Sequence, residues 1–447
     1  MPCSVLVAAA DPSTGRPPLL SHSFDTPGGV DFRLVSIPAA RQAPEEVQDS
    51  GGSGCRPIFR YEEESLPRFR GSSRGDLPAY AAELPADDAT YTVEQIGELP
   101  GPHCADGEVF DYVEAASGIA NSAGLMLAEC TCSAVFGARP RGKAGGKALL
   151  GYMELTRLAL ERCATARNAI QLMGSLAVEH GFHGNTTDLG GAAESLCIID
   201  TTEAWVFHIL ADDSGASAIW AAQRLEPGHA AACCNMFVIR AMDPEVRDLS
   251  SYLFQFVYPM RTASLGKQSF CLKAVKHVLK RPAFLCCGDN VNDVREQDTD
   301  RFLLSESALE VATRLGLWDP SSGVPFDFAA CYSAGEARHR HYSGRRHWRA
   351  LSLLAPSLNL PAHYEDLLLG PPAYPFSVVP DHPIGRTDFF AIMRDTYTNT
   401  EFDLATQPAA GPFGAFKMAG NDSHPNYRWV CPEPVLANHR RFSEMIM

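Results

Sequence analysis

The chain has 447 residues, 45% of them hydrophobic, which is ample for a large buried core and excludes a disordered or fibrous class. Its formal net charge of −15 argues against a nucleic-acid or anionic-membrane surface. No window approaches about 18 uninterrupted apolar residues, and Met1–Asp11 lacks the basic start of a secretory leader, so neither a membrane span nor a signal peptide is expected.

The elements follow in chain order. Residues 4–10 read as a short buried strand, closed by a turn at Asp11-Pro12-Ser13-Thr14-Gly15. Leu19-Leu20 leads into a polar turn holding His22 and Asp25, and residues 31–37 read as a further strand. Residues 39–80 are rich in Pro, Gly, Ser and charge and read as a loop-rich insertion. Turn signals at Asn121 and Gly124 precede a strand over 125–131.

Between 151 and 180, Leu155, Leu158, Ala159, Ala166, Ile170, Met173 and Ala177 recur at helical spacing, and Gly181 supplies a stop. A hairpin joins 195–200 to 204–208, and strands fit 218–223 and 236–239. Residues 303–315 and 386–396 read as helices. Strands dominate the first 240 residues apart from one helical region, so the class is mixed α and β with antiparallel sheet.

Fourteen cysteines without a CxxC give no disulfide scaffold, zinc ribbon or redox motif. Most lie in apolar contexts and read as buried, reduced thiols, which favours a cytoplasmic setting. Gly137–Ala144 nearly spells a phosphate-binding loop, but Ala144 stands where the Mg²⁺-holding hydroxyl belongs. Ala120–Gly124 resembles a serine-hydrolase elbow without the strand–turn–helix order that exposes the serine. His339, His341 and His347, interleaved with arginines, read as a solvated basic loop rather than a metal site.

Cys3 is the informative position. Loss of Met1 and Pro2 would give it a free α-amino group, able to take the thiol proton as an intramolecular base. A hairpin would bring His22 and Asp25 back beside it. Asn235, at the mouth of the apolar stretch 236–239, reads either as a turn residue or as an amide donor to an oxyanion.

Several stretches together resemble peptidase family C69, the dipeptidase and secernin group of N-terminal-nucleophile hydrolases. They include Cys3–Val7, Ser21–Asp25, Ile96–Pro100, Gly118–Asn121, Ala128–Thr131, Leu155–Arg162, Trp220–Arg224 and Cys234–Arg240. Arg345–Arg349, Arg394–Asp403 and Gly411–Gly414 continue the run in order. The resemblance implies an α+β fold, the Ntn-hydrolase αββα sandwich of two antiparallel sheets flanked by helices. It makes Cys3 the nucleophile, Asp25 the acidic contact of the freed amine and Asn235 the oxyanion donor, with Asn121 and Glu129 near the cleft. His22 stands where many relatives carry arginine, and its role stays open. The implied activity is a dipeptidase without metal or organic cofactor, acting on short peptides, with self-association into a homo-oligomer left open. The alternatives are an amidase on non-peptide amides and a non-catalytic, secernin-like binding protein. The expected catalytic domain spans 3–416. Residues 417–447 read as a divergent or truncated tail, whose missing cover would expose an apolar patch near 386–416.

Overall fold

The computed structural model describes residues 3–23, 34–37, 39, 55–61, 93–100, 109–115, 117–184, 192–241, 301–334, 343–362, 374–403 and 445–446. The first strand, β1 (Ser4–Ala8), is buried along its whole length. Such a strand needs apolar cover on both faces, and it receives it. Val5 and Val7 face the space between two sheets, whereas Leu6 and Ala8 face a helical layer.

On one edge β1 pairs antiparallel with β2 (Leu19–Ser23), register Val5↔His22, and on the other with β12 (Ala230–Cys233), register Val5↔Cys233. The short segment β14 (Met445–Ile446) adds to β2 and completes a four-stranded sheet ordered β12-β1-β2-β14.

The second sheet has eight strands. They are β3 (Val35–Ile37), β6 (Tyr112–Glu114), β7 (Gly118–Asn121), β8 (Met126–Ser133), β9 (Ala192–Ile199), β10 (Ala204–Ala211), β11 (Ala218–Arg224) and β13 (Phe302–Leu304). Their order is β13-β11-β10-β9-β8-β7-β6-β3, and every pairing is antiparallel. Strands β4 (Cys55–Tyr61) and β5 (Val93–Pro100) form a separate two-stranded ribbon, so the segment expected to be loop-rich contains a strand.

Helices close both outer faces. Helices α1 (Tyr152–Arg162) and α2 (Ala166–His180) bury Leu155, Leu158, Ile170 and Met173 against Leu196, Trp205, Phe207 and Trp220 of the large sheet. Past the short α3 (Glu306–Arg314) and α4 (Phe328–Tyr332), helices α5 (Arg345–Leu354) and α6 (Arg386–Met393) cover the small sheet with Trp348, Leu351, Phe389 and Ile392. Between the sheets lies the third apolar layer, including Val5, Val7, Cys130, Cys197, Val206 and Ile219. This is the expected αββα sandwich. Among the described residues no helix is long and apolar enough to cross a membrane.

Two expectations are corrected locally. The helical region 151–180 is two helices, because Cys163 and Thr165 are extended and the Thr165 side chain caps α2 by accepting from Asn168 N–H. Residues 236–239 are not a strand, since β12 has already ended at Cys233. Their backbone is instead pinned by His208, described below. Residues 404–444 lie outside the described residues; in the described part of 386–416, Phe389, Ile392, Met393, Tyr397 and Phe402 are buried.

Packing of α2 on the large sheet depends on Gly174. A Cβ there would stand 2.4 Å from Cε2 of Trp220. Helix propensity alone favours Gly174→Ala by about 1 kcal/mol, but forcing a methyl into a filled core costs about 1–3 kcal/mol. The clash should win, lowering the melting temperature by about 2 °C or more. A rise on thermal denaturation would show that α2 sits farther from Trp220.

Candidate active site

The β1–β2 hairpin places Ser23 opposite Ser4 and His22 opposite Val5. His22 is therefore a strand residue rather than part of a turn, and its side chain lies on the face that Val5 and Cys3 share. Strand β8 brings Glu129 to the same point. The Cys3 thiol donates to Glu129 Oε1 at 3.6 Å, and His22 Nε2 lies 3.9 Å from the same oxygen. Cys3 and Glu129 are buried, and the His22 side chain is 16% exposed.

Burial decides the protonation of this trio. Desolvation pushes the Glu129 carboxyl up to about 7, against opposing hydrogen bonds that include those from Glu194, Cys3 and the Thr131 backbone. The same effect pushes His22 down to about 4, although its ring also bonds the Glu129 backbone. At neutral pH the site holds a neutral imidazole beside a carboxyl near its midpoint.

A second group of contacts fixes the Cys3 backbone. Its carbonyl accepts from Arg346 Nη1 at 2.7 Å and from the Cys130 thiol at 3.2 Å. The same guanidinium donates to Ser4 Oγ, to the Cys234 carbonyl and to Asn235 Oδ1 at 2.7 Å. Arg346 thus spans the start of β1 and the turn that follows β12, where the β1–β12 register brings the chain alongside Cys3.

Asn235 sits in that turn at φ 57°, in the left-handed region that asparagine tolerates better than most residues. Its amide Nδ2 donates to the Thr131 carbonyl, and its backbone N–H donates to Cys130 Sγ. Asn235 is therefore locked between β8 and α5, with one amide hydrogen committed.

The downstream segment is held by His208. Its Nε2 accepts from the backbone N–H groups of Val238 and Ile239 at 2.9 and 3.1 Å, which places the ring proton on Nδ1, donating to Ser195 Oγ at 2.7 Å. This Ser–His pair has the wrong polarity for a nucleophile and base, because the imidazole donates. It is a scaffold for the turn, packed against Phe237 and Phe328.

Asn121 is engaged elsewhere. The Asn121 side chain donates to the Leu160 and Cys163 carbonyls and accepts from Ala123 and Leu125 N–H, so it seals the end of α1 to the β7–β8 turn. Asp25 lies outside the described residues. So do His339 and His341, whereas His347 is buried in α5 instead of lining a solvated loop. Arg346, which bonds both Cys3 and Asn235, was not singled out in the sequence; its signal there was its place within the Arg345–Arg349 match.

Residues 71–270 match the model of peptidase family C69. Over these residues the chain is similar to peptidase family C69. It contains Asn121, Glu129 and Asn235, while Cys3, His22 and Arg346 stand outside the matched residues. C69 is a peptidase family, and hydrolysis of peptide bonds is the coarse activity that the assignment carries.

Opposed pKa shifts in this fold give a two-armed pH profile. Burial lowers His22, His183 and His347 to about 4 and His208 to about 3, below the ordinary 6.5. Their contribution is complete above about pH 6.5 and is lost as pH falls toward those values, since the unfolded chain binds the protons first. Glu129 runs the other way: its contribution is present below the ordinary 4.5 and is lost as pH rises through about 7. Melting temperature should fall steeply from pH 6.5 to 4, and Glu129→Gln should raise it at pH 8 more than at pH 5. Equal effects of the substitution at both pH values would contradict a buried, proton-retaining carboxyl.

Proposed function

We propose that the chain is an N-terminal-nucleophile cysteine dipeptidase, with Cys3 attacking the scissile carbonyl of a short peptide. The observation that carries this reading is the convergence on Cys3. Glu129 meets its thiol, while Arg346 and Cys130 hold its carbonyl in place.

Removal of Met1 and Pro2 would leave the Cys3 α-amine as the base. The amine takes the thiol proton, sulfur bonds to the substrate carbonyl carbon, and the oxygen becomes an oxyanion. Asn235 stands beside Cys3 through the β1–β12 register, and its second amide hydrogen is the donor proposed for that oxygen. Each such donor lowers the barrier by about 3 kcal/mol. The ammonium then returns its proton to the leaving amine, and water hydrolyses the thioester.

One observation favours a second assignment of the base. Glu129, near its midpoint at neutral pH and in contact with the thiol, is suited to accept the same proton without any trimming. Preference for peptides with a free N-terminus follows from an acidic centre containing Glu129, with Asp25 as its expected second carboxyl. Eight free, buried cysteines among the described residues support the cytoplasmic setting.

Intact-mass analysis paired with a dipeptide panel tests the reading. Active protein should begin at Cys3, and Cys3→Ala should lose at least about 10³-fold in rate with an unchanged melt. Activity in protein that retains Pro2 would transfer the base role to Glu129. Turnover of acyl amides alone would favour the amidase, and silence on every substrate a binding protein.

A further inference from the structure

The three side chains that meet at the start of β1 are also a ligand set. Sγ of Cys3, the imidazole of His22 and a carboxylate oxygen of Glu129 all lie within 4.8 Å of one another. Zinc takes thiolate at about 2.3 Å and nitrogen or oxygen at about 2.0–2.2 Å, so a tetrahedral ion sets such atoms about 3.4–3.6 Å apart. The 3.6 Å between Cys3 and Glu129 already has that value, and the 3.9 Å between His22 and Glu129 is slightly wider. Cys3 and His22 lie within 4.8 Å of each other, so an entering ion draws these two side chains together by about 1 Å at most.

Two features go beyond proximity. Glu129 Oε2, in a side chain 1% exposed, makes no well-formed hydrogen bond among the described residues, although Glu194 and the Thr131 backbone act on the same carboxyl. The His22 ring is oriented by its bond to the Glu129 backbone, the kind of outer contact that fixes a ligating imidazole. A thiol and an imidazole select a soft or borderline ion over Mg²⁺ or Ca²⁺.

We propose that Cys3, His22 and Glu129 form a three-ligand site for zinc or a similar borderline divalent cation, with a fourth position left to solvent. On binding, metal–sulfur, metal–nitrogen and metal–oxygen bonds form, and the thiol proton and any proton on the carboxyl leave to water. Nothing is oxidised. Thiolate and carboxylate together neutralise the ion. The site itself stands on geometry alone. Its consequence, that the ion caps the nucleophile and switches the enzyme off, rests on the reading of Cys3 proposed above.

The test is titration of the purified full-length chain with Co²⁺ alone, followed by competition with Zn²⁺. One equivalent of cobalt should give a thiolate-to-metal charge-transfer band in the near ultraviolet, with tetrahedral d–d absorption in the visible, and zinc should displace both. Cys3→Ser should abolish the band, and His22→Ala and Glu129→Gln should each weaken affinity at least tenfold. Cys331→Ala, which removes a buried thiol elsewhere, should leave it intact. Thermal melts of every variant separate loss of ligand from loss of fold. Absence of the band, or its survival in Cys3→Ser, overturns the site, as does indifference to both His22 and Glu129 substitutions. Stoichiometric zinc binding that leaves peptide turnover unchanged would uphold the site and overturn Cys3 as nucleophile.

Discussion

Everything at the centre of this molecule depends on one buried cation. The Arg346 guanidinium reaches from α5 to the first residues of β1 and to the turn after β12, bonding Cys3, Ser4, Cys234 and Asn235. Hydrogen bonds from a charged donor are about twice as strong as neutral ones, and inside a core they are also directional constraints. The guanidinium's planar fork cannot reach all these acceptors unless the two backbone segments keep their spacing. Replacing it by lysine would retain a charge and lose the geometry.

The surrounding layers serve that constraint. Strand β1 lies between β2 and β12 and between two apolar layers, so Cys3 starts a segment with almost no freedom to shift. The asparagine turn on the facing side is held from below by a neutral histidine and from above by the arginine. Residue 235 adopts a backbone conformation that costs most L-residues free energy, and the surrounding contacts over-determine it. Rigidity of this kind is what a reacting centre requires, because a misplacement of about 1 Å can cost a hundredfold in rate.

Local chemistry was legible in the sequence, and long-range chemistry was not. The β1–β2 hairpin could be read because Asp11–Gly15 spells a turn between two apolar runs, and the same reading put His22 beside the start of the strand. The paired helices were visible from their apolar spacing, but Thr165 was not recognised as a cap that starts a new helix. The apolar run 236–239 looked like a strand because periodicity cannot register an imidazole acceptor 30 residues upstream in the chain. Asn121 was assigned to the cleft although its four hydrogen bonds close a helix end instead, a role that spacing along β7 does not encode. Arg346 had no local signature for its role, since its partners lie near residues 3 and 235.

The distance between those partners sets a schedule for synthesis. Arg346 and Cys3 are 343 positions apart, so at about 5–20 residues per second the ribosome needs roughly 20–70 s to supply the cation after the cysteine. For the first part of that interval the first strand lacks its β12 neighbour, and for all of it the anchoring charge, so the arrangement around Cys3 cannot yet exist. A nascent or prematurely ended chain therefore carries the thiol without the means to aim it. If Cys3 is the nucleophile proposed above, assembly order acts as a safeguard for a group that is among the first residues made.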